Sequence, residues 1–140
     1  MSRVNTVWVL GETPESYASL CSVARRLGDT VEAVVLGSAD AAQAVKGAGA
    51  DAVLLAAKRD GALVEDCVAT VAAAAAERKP DAILVATTKR MRLAAARIAA
   101  SAHTRVVNDA TRVWVDDGCL FAEHMVFGGS AYSIEKATSA

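Results

Sequence analysis

The segment with the most chemistry in its residue types is Thr87-Thr88-Lys89-Arg90-Met91-Arg92. It follows a short apolar run, Ala82 to Ala86, and opens a helix-forming stretch from Lys89 to Ala102. Free N–H groups and partial positive charge gather at a helix N-terminus, which suits an anion. Lys89, Arg90 and Arg92 put three cations there, each opposing the helix dipole by roughly 0.3–1 kcal/mol. Two readings follow: a bound anion or an acidic partner offsets this cost, or the cations form a solvated face that tolerates it. No other cluster offers a reaction centre. Cys21, Cys67 and Cys119 are widely spaced without a C-x-x-C, so neither zinc nor a disulfide framework is expected. His103 falls near the end of the Lys89–Ala102 stretch and suits a cap. His124 sits in a β-rich run and reads as a packed or interface histidine, so no metal site is expected from the two. The chain lacks G-x-x-x-x-G-K-[ST], and no G-x-G-x-x-G follows a strand-like run. Gly47-Ala48-Gly49 precedes such a run instead and reads as a helix stop. With no nucleophile beside a base, the chain is not expected to be an enzyme.

The elements that position this segment alternate in type. Apolar, β-branched runs at Val4–Leu10, Thr30–Leu36, Ala52–Ala56 and Ala82–Ala86 predict strands. Between and after them, helical spacing predicts helices from Pro14 to about Leu27, Ser38–Lys46, Leu63–Arg78 and Lys89–Ala102. Thr13 suits the first N-cap and Pro14 the first helical position, with Gly28 as the stop. Strands apolar on both faces and alternating with helices predict an α/β fold, a Rossmann-like parallel sheet flanked by helices. The pattern then changes. Arg105-Val106-Val107 predicts a short strand, and Thr111–Val115 with Cys119–Val126 a hairpin turned by Asp116-Asp117-Gly118. After Gly128-Gly129, Ala131–Lys136 predicts one more strand, making a C-terminal antiparallel extension. Both faces of this ribbon carry apolar residues, with Phe121, Met125 and Phe127 opposite Leu120, Ala122 and Val126. One face can rest on the body. The other predicts an association surface over Thr111–Glu135, including His124, Phe127, Gly128 and Gly129, and self-association of the chain.

Composition bounds the rest. The chain has 140 residues, 54% hydrophobic and 22% charged, enough to bury a core, and is read as a single domain over residues 1–140. Its 15 basic and 16 acidic residues argue against a broad nucleic-acid surface. No apolar stretch approaches the roughly 18 residues of a membrane span, and the first residues lack the apolar core of a signal peptide. A cytoplasmic setting is expected.

Several motifs together resemble the N-terminal domain of electron transfer flavoprotein α subunits, in the FixB-type branch. They are Val7-Trp8-Val9 with Gly11-Glu12, Val34-Val35-Leu36-Gly37, Gly49-Ala50-Asp51, Ala86-Thr87-Thr88-Lys89-Arg90 with Leu93-Ala94-Ala95-Arg97, and Asn108-Asp109-Ala110. The most specific is Glu123-His124-Met125-Val126-Phe127-Gly128-Gly129-Ser130-Ala131, with Glu135-Lys136 after it. The resemblance implies an adenine-nucleotide-hydrolase-like fold, a β-subunit partner and an indirect acyl-CoA-type dehydrogenase partner. It further implies a role in electron transport linked to acyl-CoA or carnitine metabolism. It places FAD in a C-terminal domain that this sequence lacks, so no cofactor is expected in the present chain. A universal-stress-type nucleotide-binding protein shares the architecture, but it carries a glycine-rich phosphate loop after the fourth strand.

Overall fold

The computed structural model describes residues 2–137. Its elements are β1 (Val4–Leu10), α1 (Pro14–Leu27), β2 (Gly28–Gly37), α2 (Ala39–Val45) and β3 (Ala52–Ala57), then α3 (Val68–Arg78), β4 (Ala82–Val85) and α4 (Lys89–Ser101). The four strands form a parallel sheet in the order β3-β2-β1-β4. β1 is therefore hydrogen-bonded on both sides. Its apolar run splits by alternation: Val7 and Val9 face α1 and α2 with Tyr17, Cys21, Ala24, Leu27 and Val45, while Trp8 and Leu10 face α3 and α4 with Val71, Ala75, Met91 and Ile98. Helices thus cover both faces, as the α/β reading expects.

Local chemistry fixes the helix ends. Thr13 caps α1 in a reciprocal box with Ser16, and Pro14 takes the first turn. Ser38 caps α2 and Thr88 caps α4 through their hydroxyls. Gly28 is not the left-handed stop expected from sequence. It lies at φ −127° and leads directly into β2, and glycine is required because a Cβ there would stand 2.7 Å from Val7 Cγ2. The single helix expected over Leu63–Arg78 is a 3₁₀ turn, Val64–Cys67, running into α3. Arg25 forks onto both Asp51 carboxylate oxygens at 2.8 Å and onto the Gly49 carbonyl, while Asp51 also accepts the Val31 N–H. These bonds hold the turn into β3, and Arg25 keeps the Asp51 carboxyl below its ordinary pKa.

The C-terminal part is a second sheet, β5 (Ala110–Asp116), β6 (Cys119–Val126) and β7 (Ala131–Lys136), antiparallel in the order β5-β6-β7. Asp117 and Gly118 turn the first hairpin with φ of 51° and 74°, the pair of positive values a type I′ turn demands. Val113, Val115 and Leu120 pack one face of this ribbon against the α1 side of the core. The short strand expected at Arg105–Val107 is absent among the described residues, where the chain runs unpaired from α4 to β5. A three-residue run gives few ladder bonds, and Val106 is only partly covered, so little holds it in a strand.

Tyr17 ties α1 to β2. Its ring is buried, its hydroxyl donates to the Val34 carbonyl, and burial pushes its pKa up to about 12. Tyr17→Phe is expected to cost about 1 kcal/mol in denaturant unfolding at neutral pH. The native state holds this proton more tightly than the unfolded chain, so stability falls as pH rises from 10 towards 12. Unfolding at stepped alkaline pH should show a shallower fall in the Phe variant.

Candidate functional site

In open α/β sheets the crevice for ligands lies past the carboxyl ends of the strands where their order reverses. Here that point is between β1 and β4. Gly11 and Glu12 leave β1, Ala86 to Thr88 leave β4, and the Ala86 N–H donates to the Leu10 carbonyl across the gap. Gly11 is needed for close approach, since a Cβ would stand 2.4 Å from Ser16 Oγ. A cleft of about 170 Å³ lies beside them, lined by Tyr17, Arg90 and Met91 among others. That is smaller than the roughly 300–1,000 Å³ of ordinary small-molecule sites.

The chain's own side chains occupy the polar positions of this crevice. Thr88 Oγ accepts the Met91 N–H, 3.3 Å, and donates to Glu12 Oε1, 2.6 Å. A carboxylate thus stands where a nucleotide would bring phosphate charge. Arg90 Nε lies 2.6 Å from Glu65 Oε1, and Arg92 binds Asp109 at 2.6 Å and the Thr87 carbonyl at 3.0 Å. Lys89 is exposed and makes no ion pair among the described residues. From sequence, the helix dipole is either offset by an external anion or partner or opposed by a solvated face that tolerates the cost. For Arg90 and Arg92, in-chain carboxylates supply the offset. Neither acid was paired with these cations in the sequence reading, because 25 residues separate Glu65 from Arg90 and 17 separate Arg92 from Asp109.

The remaining candidates lie on the ribbon. His124 is on the inner face opposite Ser133, with Nε2 buried, without a hydrogen-bond partner, and 3.8 Å from Glu135 Oε1. Phe127, Gly128 and Gly129 form the 3₁₀ turn between β6 and β7, with φ of 54°, 64° and 95°. A left-handed phenylalanine costs roughly 1–2 kcal/mol, yet its ring is 84% exposed. The outer face continues through Met125, Tyr132 and Ile134, all more than half exposed. Beside them Trp114 and Phe121 stack with centroids 5.5 Å apart, and the Arg112 guanidinium lies 4.3 Å above Trp114. Arg112 Nη2 is 3.9 Å from Glu123 across the strand pair. Arg112, Trp114, Tyr132 and Ile134 stand outside the alternation of β6 taken alone. Extending the alternation of Phe121 and Met125 to both neighbouring strands finds all four.

The family model of the electron transfer flavoprotein domain matches residues 9–140. The chain belongs to that family. Among relatives, it is 38% identical over 140 residues to a putative electron transfer flavoprotein subunit, YdiR, of Escherichia coli K12. It is 36% identical over 141 residues to protein FixB of Salmonella typhimurium LT2. Each alignment covers 99% of this chain and 45% of the relative, so the chain spans under half the length of these curated relatives. Glu12, Thr88, Asp109 and the turn from Phe127 to Gly129 all lie inside the matched region. Among the described residues no helix is long and apolar enough to cross a membrane, and no group of His, Cys, Asp and Glu could hold a metal ion.

The Thr88 hydroxyl bridges β1's exit to the first turn of α4. Thr88→Ala is expected to lower unfolding stability by about 1 kcal/mol. Thr88→Ser, which keeps the hydroxyl, should restore most of it in the same denaturant titration.

Proposed function

We propose that this chain is the N-terminal, subunit-association domain of an electron transfer flavoprotein α-type subunit. In this reading it is a scaffold without a reaction centre of its own. A C-terminal FAD domain supplies the flavin, and a β subunit completes a heterodimer that passes electrons between flavin dehydrogenases, in acyl-CoA or carnitine metabolism. The observation that carries it is a contrast within one family member. The crevice that would take a nucleotide is a cleft of only about 170 Å³ lined by Glu12 and Arg90, with Glu12 bound to the Thr88 hydroxyl, while an apolar sheet face on the ribbon stands open. Lys89, at the free end of α4, and the turn at Phe127, Gly128 and Gly129 are read as contacts to these partner parts.

Purified chain is expected to be colourless between about 350 and 500 nm, because flavin absorption requires the isoalloxazine ring. Mixed with a β subunit of this family, it should co-elute on gel filtration, and Phe127→Ser should weaken that complex. Stoichiometric flavin retained by the chain alone would overturn the proposal, as would failure to bind any β subunit. Tight binding of an adenine nucleotide to the isolated chain would favour a stand-alone nucleotide-binding protein instead.

A further inference from the structure

We propose that the outer face of the β5-β6-β7 ribbon is self-complementary and closes on the same face of a second copy of this chain. The inference rests on reading the ribbon as an association surface, and it names a partner for that surface beyond the β subunit. Cross-strand register puts Arg112, Trp114, Phe121, Glu123, Met125, Tyr132 and Ile134 on one face. The opposite face is taken by the body through Val113, Val115 and Leu120. Nothing in the described chain covers the outer face, and four of its large apolar side chains, including Phe127 at the turn, are more than half exposed.

Charge decides the occupant. Arg112 and Glu123 lie on adjacent strands of this face, directly opposite each other. In a two-fold pair, every contact i to j is repeated as j to i. The face also carries Asp116, two residues beyond Trp114, and Lys136, opposite Phe121, so its charges balance, and it can meet its own copy with Arg112 over Glu123 twice. A uniformly acidic or basic face could not. Phe127 adds the second reason. Its left-handed backbone holds the ring out past the end of β6, where it gains no packing within the chain. Seated against a second copy, the ring recovers the burial that its own fold denies it.

Size sets the strength. Three strands of about six residues present roughly 15 by 20 Å. Face-to-face closure then buries about 600 Å² in total as flat area, and somewhat more with side-chain relief, in the range of weak, transient encounters. The pair should accordingly be weak, with a Kd on the order of 10–100 µM.

Sedimentation velocity of the chain from about 5 to about 500 µM tests this, since the range brackets that Kd. A monomer–dimer shift across the range is expected, with Trp114 emission moving as the face is covered. The decisive variants reverse charge. Arg112→Glu puts an acid directly opposite Glu123, and Glu123→Arg puts a base directly opposite Arg112. Each alone should stay monomeric with parent-like circular dichroism, and an equimolar mixture should dimerise again. Phe127→Gly relieves the backbone and removes the anchor, so it should melt no lower than the parent and dimerise at least about tenfold more weakly. A parent that is monomeric throughout overturns the inference, as do a mixture that fails to re-associate and a dimer indifferent to all three variants. The two readings fail separately: a monomer that still binds a β subunit sinks only the self-pairing, and a dimer that binds none sinks only the flavoprotein role.

Discussion

Strand β1 has a neighbour on each side and a helix layer on each face. Its backbone groups pair with β2 and β4, and its side chains from Val7 to Leu10 are sealed from water. No position in that run tolerates a polar group without a partner, since an unsatisfied buried donor or acceptor costs about 1–3 kcal/mol. Trp8 meets the rule by donating its indole N–H to Glu32 on β2. Everything else in the α/β body follows from covering this strand. α1 and α2 supply one layer and α3 and α4 the other, and the carboxyl end of β1 becomes the floor of the crevice.

The ribbon obeys a different rule. An antiparallel sheet has one face to bury and one to spare. Here Val113, Val115 and Leu120 use the first, and the second stays apolar instead of turning polar as a solvent face usually does. The stacked Trp114–Phe121 pair and Arg112 above it form the centre of this face, and Met125 and the turn at Phe127 form its edge. Rigid aromatic area with a flanking charge pair is the composition of interface centres.

Much of this was legible in the residues. The alternation of apolar runs with helical spacing identified the four strands and four α-helices of the body, though not the 3₁₀ turn before α3, because β-branched runs and N-cap residues act locally. Asp117-Gly118 announced a hairpin because few residue pairs accept two positive φ values in succession. What stayed hidden depended on distance along the chain. The glycine at position 28 looked like a helix stop, but its reason is a methyl group of Val7 on the neighbouring strand. Arg105–Val107 looked like a strand, but pairing requires a register that three residues do not secure. The cations of α4 looked unpaired, because Glu65 and Asp109 reach them only after folding.

That last point bears on how charge is balanced at the switch point of this fold. A helix N-terminus at the switch point attracts negative charge regardless of its source. In this chain Glu12 answers for the Thr88 hydroxyl, Glu65 for Arg90, and Asp109 for Arg92. Three carboxylates therefore stand around the end of α4, where an anionic ligand would otherwise supply the charge. Each also ties α4 to a different part of the chain: Glu12 follows β1, Glu65 precedes α3, and Asp109 precedes the ribbon. Asp109 sits at φ 53°, a left-handed turn that sends the chain from its bond with Arg92 straight into β5. The Arg92–Asp109 pair thus helps to set where the ribbon begins. The carboxylates that balance the end of α4 thereby also fix its link to the sheet face that remains open.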